Sequence, residues 1–380
     1  MRELLDDLDR WAAAGRRAVL ARVVDTEGSG PRLPGAAMAV SEDGEVSGSV
    51  SGGCVEGAVV AEALDVLERG DTRLVSFGYS DDEAVGVGLT CGGTVHLLLA
   101  PVPLPGGVLA PLAAALREGR PAVLATRLDA AGGGACLLVA EPRPPDDGAG
   151  PPGGADLVLA GSLGDADLDR VVRRDARGAL ASATTAVRHY GPHGEAGQDA
   201  LAVFVECFAA PPRMVIFGAV DFTAALAHAA KLLGYHVTVC DARAVFATRA
   251  RFPMADEVVV AWPQRHLAQI GPTLGPRDAV CVLTHDHKFD VPAIVAGLGT
   301  RVGYLGAMGS RRTHAERLER LRAEGVDDAD LARLWAPIGL DIGARTPEET
   351  AVAILAEIIA TRSGREAASL RDGRGPIHAG

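Results

Sequence analysis

Two adjacent prolines, Pro211 and Pro212, divide this chain into parts that obey different patterns. Neither a helix nor a central strand continues through them, because proline fixes φ and lacks an N–H. After them, short apolar runs (residues 214–218, 236–241, 257–262, 279–284 and 301–305) alternate with helix-length segments such as 221–233. That alternation is the pattern of a doubly wound parallel sheet. Before them the order is a helix, a strand at 18–24, a Gly/Pro loop at 27–35 and a hairpin about Glu42-Asp43-Gly44. A helix over 54–69 and strands at 73–77 and 94–100 complete an α+β unit. A further stretch to about residue 208 alternates strands with Ala-rich helices. The expected class is α/β: an N-terminal α+β domain over 1–208, a Rossmann-like doubly wound parallel-sheet domain over 213–365 and a flexible tail at 366–380. Residues 141–156, dense in Pro, Gly and Asp, read as a surface loop, and no internal repeat is evident.

The length of 380 residues suits two or three domains, and 48% apolar residues can fill their cores. A net charge of −12 without a basic stripe argues against nucleic acid and anionic membrane surfaces as partners, since both recruit clustered Lys and Arg. No apolar run approaches the ~20 residues that span a bilayer. Leu4, Leu5, Leu8 and Trp11 recur at helical spacing within a charged segment unlike a signal peptide, so a cytoplasmic protein is expected. The six cysteines lack a disulfide-framework spacing and are expected as thiols. Cys136, Cys207, Cys240 and Cys281 fall inside strand-like runs and read as small buried hydrophobes.

Cys54 and Cys91 differ, because each lies in a Gly-rich connection: Ser51-Gly52-Gly53-Cys54-Val55-Glu56 and Thr90-Cys91-Gly92-Gly93. A helix starting directly after Gly53 places Cys54 and Glu56 in its first turn, where the dipole favours a thiolate or an anion. Glu56 is then either a proton acceptor or an acidic residue suited to the helix start. Gly92 and Gly93 let a ligand approach the Cys91 sulfur, and a transient Cys54–Cys91 disulfide is a rival reading. Zinc is not favoured, for no cysteines stand two to four residues apart. His96 reads as a hydrogen-bonded core histidine. Arg32, in the loop of residues 28–35, suits a phosphate or oxyanion, or is a solvated side chain.

In the second half the first turn reads Gly218-Ala219-Val220-Asp221-Phe222-Thr223, and of the dinucleotide fingerprint only Gly218 fits. Asp241 stands in the place of a ribose-binding carboxylate. His285 and His287, facing one side of an extended strand exit, could bind metal, act as a base, or merely hydrogen-bond neighbouring loops. Residues 303–312, with Gly306, Gly309, Ser310 and Arg311, form a strand-to-helix anion cradle. Thr346-Pro347-Glu348-Glu349 is explained as a helix cap.

With both cysteine loops, the loop of residues 28–35, the His285-Asp286-His287 segment, Tyr304-Leu-Gly-Ala-Met-Gly-Ser310 and Pro337-Ile-Gly-Leu-Asp-Ile-Gly343 in this order, the chain resembles the XdhC/CoxI family. The resemblance implies an accessory factor that binds molybdenum cofactor (molybdopterin) as cargo, assists its sulfuration and delivers it to a molybdenum hydroxylase apoenzyme. A cysteine desulfurase is the further partner expected, and a homodimer the default assembly. It implies that Cys54 and Cys91 face a water-poor cleft between domains and contact the metal or sulfur end of the cofactor, with Arg32 or residues 303–312 on its phosphate. Relatives read more like Gly-Ala-Gly-His-Val where this chain reads Gly-Ala-Val-Asp-Phe. The rival readings are an NAD(P)-dependent oxidoreductase, whose thiols would be redox or structural, and a zinc hydrolase using His285, His287 and Asp290.

Overall fold

The computed structural model describes residues 1–28, 32–78, 93–129, 133–142 and 158–372. It forms two compact units, which divide between Ala210 and Pro211.

The first unit begins with α1 (Leu5–Ala13), followed by β1 (Ala18–Glu27), β2 (Ala37–Ser41), β3 (Val46–Gly48), α2 (Glu56–Arg69), β4 (Arg73–Phe77) and β5 (Thr94–Val102). Then come α3 (Leu109–Arg117), β6 (Ala122–Arg127), β7 (Cys136–Ala140), β8 (Val158–Gly161), α4 (Ala166–Ser182), β9 (Ala186–Tyr190) and β10 (Leu201–Phe208). The first sheet has the order β3-β2-β1-β5-β4 and the second β8-β7-β6-β10-β9. On β1, Val19, Ala21 and Val23 face a core shared with α2, while Ala18, Leu20 and Val24 face the second sheet. Both faces of the strand are therefore buried from Ala18 to Val24, which is why that stretch is apolar apart from Arg22. The second sheet mirrors this, with α4 over Val123, Ala125, Val203 and Val205.

The expectation of no internal repeat is corrected by this architecture. Each half of the unit is one helix, three strands, one helix and two strands, with the same strand order, and the register repeats: Ala18 pairs with Val102 as Ala122 pairs with Phe208. Glycines confirm it. A Cβ on Gly48 would lie 2.5 Å from the carbonyl of Ala37, the first residue of β2, and one on Gly161 would lie 2.1 Å from that of Cys136, the first residue of β7. Contacts also cross between halves in matched pairs, since Gly35 faces Thr185 just as Gly134 faces Thr72. The copies share backbone constraints rather than residues, so periodicity in the sequence conceals the repeat.

One polar cluster interrupts the apolar interior between the sheets. Arg22, fully buried, donates through Nη1 to Thr126 Oγ1 at 3.2 Å and to Glu206 Oε2 at 3.3 Å. Arg22 Nε, Arg22 Nη2 and Glu206 Oε1 have no partner among the described residues.

The second unit contains β11 (Arg213–Phe217), α5 (Asp221–Leu232), β12 (His236–Asp241), β13 (Glu257–Val260), α6 (Pro263–Ile270), β14 (Ala279–Val282) and α7 (His287–Leu298). β15 (Tyr304–Ala307), α8 (Arg311–Ala323), α9 (Asp328–Leu331), β16 (Leu334–Trp335) and α10 (Pro347–Ser363) follow. All strands are parallel in the order β13-β12-β11-β14-β15-β16, the two-halves order of a Rossmann sheet. Helices α5 and α10 cover one face and α6, α7 and α8 the other. No helix among the described residues is long and apolar enough to cross a membrane.

Candidate functional site

β1, β3 and β4 run in one direction, because β1 and β3 are each antiparallel to β2, and β1 and β4 are each antiparallel to β5. Their exits therefore leave the same edge of the first sheet. Those exits are the connections that carry the sequence motifs: residues 28–36 with Arg32, 49–55 with Gly52, Gly53 and Cys54, and 78–93 with Cys91, Gly92 and Gly93. Cys91 and Gly92 lie outside the described residues. Gly93 is buried at the start of β5, and Arg32 is exposed.

The connection before α2 is built around one carboxylate. Glu56 accepts from Ser49 Oγ at 2.7 Å, Ser51 N at 2.9 Å, Gly53 N at 2.8 Å and the Ser51 hydroxyl. Ser51 Oγ in turn accepts from Cys54 N and Val55 N, both at 3.0 Å. Desolvation pushes the Glu56 pKa upward, but the hydrogen bonds from Ser51 and Ser49 outweigh it and hold the group at about 2. A carboxylate of that strength is a permanent anion at neutral pH and a weak proton acceptor. α2 starts at Glu56, two residues later than expected, with Val55 as its cap. Cys54 thus precedes the first turn, half-buried and packed against the core under α2.

Gly52 and Gly53 have φ of +74° and +119°, and nothing lies within 4 Å of a Cβ built on either. Their conformation demands glycine, and their outer surface is open to a ligand. Their N–H groups are not available as a cradle: Gly52 donates to Ser49 Oγ and Gly53 to Glu56. His96, half-buried on β5, meets Ser76 Oγ at 2.7 Å, in line with a hydrogen-bonded histidine. Sequence reasoning missed Ser49 and Ser51, which stand seven and five places before the carboxylate they bond, outside the three-residue spacing of a capping box.

In the second copy, residues 162–165 and 191–200 come together where His193 Nδ1 lies 2.8 Å from Asp165 Oδ2, at the start of α4.

In the second unit the Gly218 turn and Asp241 come together, Ala219 N donating to Asp241 Oδ2 at 2.8 Å. Gly218, at φ +110°, closes against Thr284, whose Cγ2 would lie 2.8 Å from a Cβ there. Asp241 is buried and bonded by Arg243. Asp286 caps α7, so His287 opens a helix rather than extending a strand, and the expected shared face of His285 and His287 is corrected; both are exposed. Asp290 is buried and bonded by the Thr284 hydroxyl and by Arg317 Nη2 at 2.9 Å, which removes it from a zinc set with those histidines. Desolvation pushes its pKa up despite Arg317. Among the described residues no three His, Cys, Asp or Glu side chains converge as a metal site. Gly306 lies inside β15 with its Cβ position filled by Ile338, so it serves packing and is not part of the turn. Gly309, Ser310, Arg311 and Arg312 do line a groove of about 510 Å3 with Pro337, Gly339 and Asp341, in which Asp341 stands 3.5 Å from Arg311.

Residues 11–78 match the family described as XdhC and CoxI, and residues 214–358 match the XdhC Rossmann domain. The chain belongs to the XdhC and CoxI family. This family member is similar to a Bacillus subtilis protein named as a probable subunit of xanthine dehydrogenase, at 28% identity over 362 residues, 93% of this chain and 96% of the relative. It is similar to the Escherichia coli protein named molybdenum cofactor insertion chaperone PaoD, at 27% identity over 354 residues, 93% of this chain and 86% of that one. A crystal structure from Bacillus halodurans, described as a xanthine dehydrogenase, matches with a TM-score of 0.66 and 27% identity, over 96% of this XdhC-type chain and 98% of the other.

Proposed function

We propose that this protein binds the molybdenum cofactor as cargo and serves its insertion into a xanthine dehydrogenase-type molybdenum hydroxylase. Family membership and the likeness to a chaperone named for that insertion support the reading. The observation that carries it is the single sheet edge from which all three motif-bearing connections leave. A soft metal held by sulfur is met by thiols, and Cys54, with Cys91 on the connection that follows β4, supplies them. Gly52 and Gly53 offer bare backbone surface for the flat pterin to approach, and Glu56 with Ser51 fixes the shape of that surface. Arg32 on the same edge is the cation for the cofactor phosphate, and Arg311 with Ser310 is the alternative.

The finer steps belong to the same proposal. The thiols shield the dithiolene end from oxygen, a cysteine desulfurase supplies the sulfur, and the apoenzyme receives the loaded cofactor. The test is anaerobic co-purification, reading pterin fluorescence and molybdenum content for wild type, Cys54→Ser and Cys91→Ser. Loading is expected to fall in both variants while melting temperature holds. Equal loading in all three overturns the assigned site.

A further inference from the structure

We propose that the nucleotide crevice of the second unit is occupied by the chain's own side chains, with Arg243 in the place of a ribose diol and Phe289 in the place of a base. The inference is independent of the cargo reading. In a sheet of this order a dinucleotide lies outside the carboxyl ends of the strands, at the switch between β11 and β14. It needs a bare turn with a free N–H for the pyrophosphate, a carboxylate at the end of the second strand for the ribose, and a flat slot for the base.

Each requirement has an internal occupant. Ala219 N, in the turn, donates to Asp241 Oδ2 at 2.8 Å. The side chain of Asp241 is only 3% exposed and is held by Arg243, which donates through N and Nε at 2.9 Å and Nη2 at 2.7 Å. A planar fork bonding one carboxylate twice presents donors much as a pair of vicinal hydroxyls would. Burial raises the Asp241 pKa, yet Arg243 and the backbone donors bring it below the ordinary value, so the carboxylate is committed as an anion to these partners. Beyond it, the Phe289 ring stacks on Trp262 at 5.0 Å and 25°, with the Arg243 guanidinium 5.8 Å from its centroid. A ring between an indole and a cation has the surroundings of a bound purine. Phe246 continues the stack 4.6 Å from Arg243. Arg251 reaches back over the turn, donating to Ala219 O at 3.0 Å, with Nη2 3.6 Å from Asp221. Val220 adds a side chain where the dinucleotide fingerprint has glycine. The residues that close the crevice come from the exits of β12, β13 and β14, so the closure is built by the same connections that would otherwise form the site.

The experiment is a fluorescence titration of the whole protein with NADH and with NADPH, comparing wild type with Arg243→Ala, Phe289→Ala and the double variant. Wild type is expected to show no saturable signal at millimolar concentrations, and the double variant to bind about tenfold or more tightly than wild type. Saturation of wild type at micromolar NADH or NADPH overturns the proposal. So does a double variant that keeps the wild-type melting curve and still fails to bind. If the double variant does not fold, the wild-type titration and the single variants decide on the same terms.

Discussion

Breaking the Arg22–Glu206 pair tests the account of the first unit most directly. Both side chains are at most 1% exposed, only one guanidinium nitrogen is engaged, and three polar atoms in the cluster have no partner among the described residues. Removing one member strands the other charge between the sheets, which costs about 3–5 kcal/mol. Arg22→Met and Glu206→Leu should each lose that much. The double variant should come within about 1 kcal/mol of wild type or exceed it, because well-packed apolar pairs match or better buried ion pairs. For a unit of this size, about 2–4 °C per kcal/mol converts each single loss to roughly 6–20 °C in Tm. Trp11 is buried in the first unit, whereas Trp262 and Trp335 belong to the second, so a Trp262→Phe, Trp335→Phe background lets Trp11 fluorescence report the first unit alone. The pH dependence carries a sign. Burial raises the Glu206 pKa above its unfolded value, so the neutral acid is favoured in the fold and stability is lost as pH rises. The Arg22→Met penalty should therefore shrink as pH falls toward the ordinary carboxylate range. Losses below about 1 kcal/mol in both single variants, or additive losses in the double, would refute the reasoning.

His266 is 6% exposed beside Phe217, with both ring nitrogens unpartnered among the described residues, and desolvation lowers its pKa. Stability is then complete above the unfolded value and falls as pH drops through it, by up to about 1.4 kcal/mol per pH unit; urea unfolding at several pH values should show that slope vanish in His266→Phe. Gly48→Ala and Gly161→Ala should each cost about 2–4 kcal/mol in thermal melts, since the new Cβ meets a carbonyl of the neighbouring strand, whereas Gly44→Ala, at φ +78° with nothing within 4 Å, should cost about 1 kcal/mol. Glu56→Ala should lose roughly 1–2 kcal/mol, discounted for solvent exposure, and should alter the rate of Cys54 alkylation more than Glu56→Gln does. Because the folded Glu56 pKa of about 2 lies below its unfolded value, that contribution is present above about pH 4.5 and should disappear as pH falls toward 2 in acid unfolding followed by circular dichroism.

Most of the parallel sheet was legible in the sequence because β11, β12, β14 and β15 are buried on both faces and read as apolar runs between turn residues, whereas β16, two residues long, leaves no run to read. Its least legible part was the crevice. Asp241 reads as a ribose ligand from its position, and nothing local announces that Arg243, two residues on, turns back to consume it. The Gly-Gly-Cys segment was legible as a glycine-rich connection before a helix, but the partners of Glu56 were not, since Ser49 and Ser51 acquire their role only when the chain bends through two left-handed glycines. His285 and His287 were misplaced because an extended strand exit and a capped helix start share the same residues, and Asp286 decides between them by accepting from Lys288 N at 3.0 Å.

The repeat within the first unit explains where function could be added. Contacts that fix the backbone are the same in both copies: Gly48 and Gly161 against the start of the adjacent strand, Gly35 and Gly134 against a threonine of the other copy. The connections at the free edge differ. In the second copy residues 162–165 run straight into a helix capped by Asp165, while in the first, residues 49–55 detour through Gly52, Gly53 and Cys54 before α2 begins. That longer path is anchored by Val50 and Val55, both fully buried in the core under α2. Glu56 ties the rest together, gathering donors from Ser49, Ser51 and Gly53 onto one ionised carboxylate. Asp169 does the smaller task in the second copy, accepting from Leu163 N at 2.8 Å. The connection that bears Cys54 is thus the longer of the two, anchored by buried valines and knit together by a charge.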